Sequence, residues 1–158
     1  MNIRKATLKD FEKICQLRKE LENDPSDRLA TEYAPYQEDN DRAWIHKCLR
    51  SKQRIIILIA EDSEGICGHA IVCIEKVPQK MKAYMTYRQK ARLVHLYVSR
   101  HRRHRGIGKE LTEYTLKYLK QMGTEFVDLE CYIGNEIADS LYKKIGFKDV
   151  FVVKRFTL

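Results

Sequence analysis

The apolar positions of this chain change their period several times, and each change marks an element. Phe11, Ile14, Leu17 and Leu21 recur at three- and four-residue spacing, which predicts an amphipathic helix over residues 8–22. Thr7, with Asp10 three residues on, reads as its N-terminal cap. Ahead of it, NIRKAT (2–7) reads as a first strand. Trp44, Ile45 and Leu49 place a second helix at about 39–51. The helical period then stops. RIIILIAED (54–62) is a β-branched run suited to a buried strand. Asp62 to Gly65 makes a turn, and ICGHAIVCIE (66–75) returns as the second half of a hairpin. RLVHLYVS (92–99) predicts another strand. Ile107, Leu111, Tyr114, Tyr118 and Met122 then form one helical stripe with Leu119 beside it, and Gly123 is a good stop. FVDLECYI (126–133) reads as a strand, NEIADSLYKKI (135–145) as a helix and FKDVFVVKRFTL (147–158) as a last strand.

Residues 22–39 and 76–90 are polar and read as loops. The predicted order is β-α-α-β-β-β-α-β-α-β. Strands and helices alternate only in the second half. The fold class is therefore α/β in the mixed α+β sense: a mixed, mostly antiparallel sheet flanked by about four helices. No repeat or Pro/Gly/Ser-rich linker divides the chain, so residues 1–158 are expected to form a single domain.

Composition narrows this little. Hydrophobic residues make up 44% of the 158, ordinary for a globular domain. No apolar run approaches the roughly 20 residues of a bilayer span, and MNIRKATLKDF has no signal-peptide core, so a cytoplasmic location and no membrane partner are expected. The five cysteines, Cys15, Cys48, Cys67, Cys73 and Cys131, are odd in number and lack CxxC spacing, which points to reduced, mostly buried thiols. Net charge matters more. At +8 it favours anionic partners.

That charge is concentrated in SRHRRHRGIGKEL (99–111), where Arg100 to Arg105 run straight into Gly106-Ile107-Gly108. A strand that enters a glycine turn and opens a helix builds an anion seat. The first helical turn has unpaired N–H groups, and the helix dipole adds positive charge there. Glycines let an anion approach those amides. A Walker loop would need Lys-Ser/Thr, whereas Lys109-Glu110 follow. A dinucleotide fingerprint would need a third glycine where Leu111 stands. His101 and His104 lack a carboxylate or thiol motif beside them, so no metal site is expected.

RHRGIG (103–108) resembles the Q/R-x-x-G-x-G/A signature of the GNAT superfamily of N-acetyltransferases. NEIADSLYKKIGF (135–147) resembles that family's N-x-x-A-x-x-x-Y-x-x-x-G-F pattern, and the element order is similar throughout. The resemblance implies transfer of an acetyl group from acetyl-CoA, as cosubstrate, to a primary amine. It implies that the backbone of Arg103, His104, Arg105, Gly106, Ile107, Gly108 and Lys109 holds the CoA pyrophosphate, with Arg102, Arg103 and Arg105 adding charge. It places the pantetheine arm along Leu96, Tyr97 and Val98, with the Leu96 amide as oxyanion donor and Asn135 beside the arm. Tyr142 stands at the family's acid position.

The base is less settled. Some members carry a Glu where this chain has Arg92, which cannot accept a proton. His95 is the nearest titratable group and is expected to act as base, provided the strand bulges near 94–96. Glu130, Glu61 or a water chain are alternatives. Acids of the 22–39 loop, Glu22, Asp24, Asp27, Glu32, Glu38 and Asp39, would attract a cationic amine, whereas the basic 76–92 segment would favour an acidic acceptor. A CoA-binding regulatory module of the same fold is the alternative function. A nucleic-acid partner is disfavoured because no aromatic-basic recognition motif accompanies the arginines. A homodimer is compatible with the sequence.

Overall fold

The computed structural model describes residues 1–24, 35–51, 54–154 and 156. The elements are β1 (Asn2–Lys5), α1 (Phe11–Glu22), α2 (Glu38–Arg50), β2 (Ile55–Asp62), β3 (Gly65–Lys76), β4 (Gln89–Val98), α3 (Ile107–Gln121), β5 (Phe126–Leu129) and α4 (Glu136–Ile145). The five strands lie in chain order across one sheet. All neighbours are antiparallel except β4 and β5, which run parallel. The helix joining these two supplies the crossover that a parallel pair needs.

The two-sided apolar run of β2 has the predicted consequence. Ile57 and Ile59 face one layer, with Ile71 of β3, Ile14 and Cys15 of α1, and Ile45 and Cys48 of α2. Ile56, Leu58 and Ala60 face the other, with Leu111 and Leu119 of α3. The sheet is thus covered by α1 and α2 on one side and by α3 on the other. Among the described residues, no helix is long and apolar enough to cross a membrane.

The predicted cap at the start of the first helix is present. Thr7 donates from its backbone nitrogen (2.7 Å) and hydroxyl (3.0 Å) to Asp10 Oδ2. The same carboxylate takes two bonds from the Arg4 guanidinium, each 2.9 Å. Those bonds hold Asp10 down at about 2, against its ordinary 3.8. A depressed carboxylate stabilises the fold above its unfolded value and loses that contribution as pH falls. Stability should therefore drop between about pH 4 and pH 2. Urea midpoints of wild type and Asp10→Asn measured at pH 5 and pH 2.5 check this. The wild type should lose more over that interval than the variant, whose side chain no longer titrates.

Three expectations need correction. β5 ends at Leu129, short of the predicted 133. β4 begins at Gln89, not 92, because residues 89–91 pair with β3 on one side and, from Lys90, with β5 on the other. The last strand predicted for 147–158 does not form among the described residues. Its valines and aromatics are strand-prone, but strand propensity is realised only against a neighbour's backbone. Val150, Phe151, Val152 and Val153 lie exposed instead. Residues 155, 157 and 158 lie outside the described set, as do Asp27 and Glu32 of the acidic loop.

Candidate active site

The site begins where β4 changes phase. Leu93 pairs with Val72 and His95 with Ile71, so Val94 is an extra residue and the strand bulges there. Ala91 and Leu93 face the α3 layer. Beyond the bulge, so do Leu96 and Val98, three residues further on instead of two. The bulge that the His95 reading requires is therefore present.

The parallel pairing with β5 ends at the same place, at Leu93 with Leu129. From residue 94 to Val98 the β4 edge on that side has no strand beside it among the described residues. An open edge presents backbone donors and acceptors that an extended amide-bearing chain can pair with.

The edge leads into the glycine turn. Ser99 starts a short 3-10 turn over Arg100–Arg102. His104 (φ 62°) and Gly106 (φ 81°) then take left-handed backbone conformations. Gly106 caps α3, whose first helical bond runs from Glu110 N to Gly106 O at 3.0 Å. The amides of Ile107, Gly108 and Lys109 precede that bond and are the first-turn donors of an anion seat. Gly108 faces inward: a Cβ there would lie 3.6 Å from Leu141 Cδ2 and 3.8 Å from Val98 Cγ2.

The basic run is divided between structure and surface. Arg100 and Arg103 converge on Asp24, which is almost fully buried, at 3.0 and 2.7 Å. Arg103 also donates to Val98 O at 3.0 Å and lies over the Tyr97 ring. Arg102 reaches Asp62 at 2.8 Å and also pairs with Glu64, in the β2–β3 turn. Arg102 and Arg103, expected to add charge at the phosphates, use their guanidiniums here to tie the turn to the rest of the fold. Arg105 is exposed at the turn, and Lys109 sits 3.7 Å from Glu113.

α4 closes the other side of the open edge. Asn135 Oδ1 accepts from Ala138 N at 3.1 Å, the capping role its position predicts. Tyr142 packs against the same apolar layer as Leu96 and Val98, with Phe147 edge-on to its ring at 5.7 Å. Tyr142, the edge after the bulge and the seat at α3 thus converge on one region.

His95 points the other way, toward α1 and α2. Its Nδ1 lies 3.1 Å from Arg18 Nη1, and Trp44 stands edge-on to the ring. Burial and the adjacent guanidinium push His95 down to about 3. That environment disfavours the charged ring that a base must become. The alternative carboxylates are placed as follows. Glu61 is held by Arg4 and Asn2 at the β1 side of the sheet. Glu130 is exposed, 3.7 Å from Arg92. Of the loop acids, Glu22 pairs with Arg18 and Glu38 with Lys19, each at 2.7 Å.

Three residues escaped the sequence reading. Asp24, expected among the loop acids that would attract a cationic amine, is instead a buried anchor for two arginines. Arg18 falls four residues after Ile14, within the apolar stripe of α1; a charge on that face was the available signal. At Gly68 of β3 a Cβ would sit 2.8 Å from Tyr97 O of β4. That collision with backbone makes glycine the residue for the position. Burial raises the thiols of Cys15 and Cys48 to about 11, which disfavours their thiolates.

The profile of the acetyltransferase (GNAT) family matches residues 11–147. An N-alpha-acetyltransferase of Sulfurisphaera tokodaii is 32% identical over 99 residues. The match spans 62% of this chain and 59% of that protein's length. An aminoglycoside antibiotic 6'-N-acetyltransferase from Acinetobacter haemolyticus superposes with TM-score 0.75 at 19% identity, covering 100% of this chain and 98% of its own. An aminoglycoside N-acetyltransferase in complex with CoA gives TM-score 0.78 at 18% identity, covering 99% of this chain and 93% of its own.

Proposed function

From the premise that this chain belongs to the acetyltransferase (GNAT) family, we propose that it transfers the acetyl group of acetyl-CoA to a primary amine by direct attack in a ternary complex. One observation carries the reading most: β4 loses its β5 partner at the Val94 bulge and runs, as an open edge, into the left-handed turn and first-turn amides of α3. An extended arm ending in a pyrophosphate fits that sequence of features. The amides of 103–109 would take the phosphates, with Arg105 adding charge. The edge at Leu96, Tyr97 and Val98 would pair with the pantetheine amides. Asn135 would flank the arm.

The thioester carbonyl would then lie near the Leu96 amide. Attack by the amine forms the new C–N bond and places negative charge on the carbonyl oxygen, which that N–H stabilises. Collapse breaks the C–S bond, Tyr142 donates its hydroxyl proton to the departing thiolate, and the proton shed by the newly bonded nitrogen returns through water to restore that hydroxyl. The amine must arrive without its extra proton. His95 is not suited to remove it, because Arg18 can only donate and so occupies the lone pair of Nδ1. We assign that proton to solvent water.

A pH dependence follows. With an α-amine acceptor, kcat/KM should rise with pH through the amine's own value, roughly 8. It should show no inflection near 6.5, the ordinary histidine value. Initial rates from pH 5.5 to 9.5 check this, and a histidine-like step lost in His95→Gln would reinstate His95 as base.

The acceptor is proposed only as a primary amine. The named activities of the relatives, on α-amines and on aminoglycosides, share that group. The missing acid at Arg92 favours the second reading, a CoA-binding module without efficient transfer. Thiol release from acetyl-CoA across a panel of peptide α-amines, lysine peptides, polyamines and aminoglycosides separates the two. Amine-dependent release supports the transferase. CoA binding with no release from any acceptor supports the module.

A further inference from the structure

Arg18 is a buried cation balanced by two carboxylates, lying 6.0 Å from the Trp44 ring centroid. Its Nε and Nη2 bond Asp41 of α2 at 3.2 and 3.0 Å, and Nη2 also bonds Glu22 at 2.7 Å. The remaining contact, Nη1, is spent on a histidine of β4, 77 positions away in sequence. A guanidinium has donors only. The His95 nitrogen it meets must therefore be the acceptor, and in the neutral ring the proton must sit on Nε2. Other groups facing the ring agree with a neutral state. Trp44 of α2 contributes an apolar edge, and His69 of β3 is itself fully buried. Asp41 and Glu22 are turned to Arg18, and Tyr36 donates to Asp41 at 3.4 Å. The positive charge nearest the ring is Arg18 itself, which opposes a second one.

Among the described residues, the only buried side-chain nitrogens or oxygens without a partner are the two of His69. His95 itself is part-buried, and its Nε2 makes no hydrogen bond to another of the described residues. The ring lies beside the bulge, on the α1–α2 face of β4. Leu96, Val98 and Tyr142 occupy the opposite face. An acceptor that approached the thioester from the α1–α2 side would meet this N–H.

We propose that Arg18 is a positioning residue that locks His95 as the Nε2–H tautomer, and that this fixed donor selects acceptors carrying a carbonyl oxygen beside the amine, as a peptide α-amine does. The proposal rests on the acetyltransferase reading for its second half, whereas the lock itself needs no turnover. A neutral donor suits a carbonyl, which would compete poorly for a charged ring balanced by Asp41. It also explains why a histidine stands here without serving as base: the lone pair a base would need is the one Arg18 covers.

The test has two arms. In the first, imidazole nitrogen shifts are recorded from pH 5 to 8, the range in which an ordinary histidine changes charge. His95 is assigned by its absence in His95→Gln. The lock predicts an Nε2–H ring with no titration in wild type and an emerging titration in Arg18→Gln. A wild-type ring that titrates normally, or that is protonated on Nδ1, overturns it. In the second arm, transfer to a short peptide α-amine is compared with transfer to butylamine in wild type, His95→Leu and His95→Gln. Loss of one hydrogen bond should raise KM for the peptide in His95→Leu by roughly tenfold more than for butylamine. His95→Gln, which keeps an N–H donor, should recover most of that difference. Equal effects on both amines overturn the selectivity. A wild type that acetylates neither counts against the proposed function, while the ring shifts still decide the lock.

Discussion

Tyr142→Phe should lower kcat by about 10²–10⁴-fold, the range for losing a general acid, with little loss of folding. The substitution keeps the ring, which is what the apolar layer of α3 and β4 and the edge of Phe147 contact. It removes only the hydroxyl. Position supports the role: Tyr142 lies on α4, the helix that Asn135 caps, and packs against the same apolar layer as Leu96. If the hydroxyl protonates the departing thiolate, KM for acetyl-CoA should move little while kcat falls. Steady-state rates with the best acceptor of the panel check this, and a thermal melt checks the fold. A wild-type kcat in the variant would remove Tyr142 from the chemistry and leave it as a packing residue.

The second large effect concerns the seat at α3. Gly106 holds φ at 81°, and its missing Cβ would touch nothing within 4 Å. The constraint there is conformational. A β-branched residue in that region costs about 1–3 kcal/mol and would reset the direction in which the first-turn amides point. Gly106→Val should therefore raise the Kd for CoA roughly tenfold or more. Gly106→Asn should stay within about threefold, because asparagine tolerates the left-handed region. Gly108 differs. A Cβ there would make ordinary contact with Leu141 and Val98, so only a side chain larger than alanine would narrow the space between α3, α4 and β4. Calorimetry with CoA on the two Gly106 variants distinguishes a backbone requirement from a simple need for space. Equal weakening by both would make the requirement steric.

Much of this was legible along the chain because it is local. The α1 stripe, the two-sided run of β2, the Thr7–Asp10 cap and the Asn135 cap all depend on residues a few positions apart; the α3 stripe was read only in part, since Ile107, Leu111 and Leu119 are buried but Tyr114 and Met122 are exposed, and Thr112 and Thr115 take their place. Even the bulge is written locally: Ala91, Leu93, Leu96 and Val98 step by two, three and two. What escaped depends on distant partners. The arginines of 100–103 read as one cationic patch, yet their roles are set by Asp24, Asp62 and Glu64, far away in sequence. His95 read as a free imidazole because the reference value of its ring is suited to proton transfer. The Arg18 contact that changes it comes from the other end of the fold. The apolar 147–158 segment reads as a strand because propensity is local, while pairing is not.

The account stands on one claim, that the open edge of β4 and the turn before α3 together receive CoA. The most direct measurement is a CoA titration followed by backbone amide shifts. The account predicts that the largest changes fall on Leu96, Tyr97 and Val98 and on residues 103–109, with smaller ones at Asn135 and Tyr142. Changes confined to the basic 76–90 segment, or none at 94–98 under saturating CoA, would contradict it.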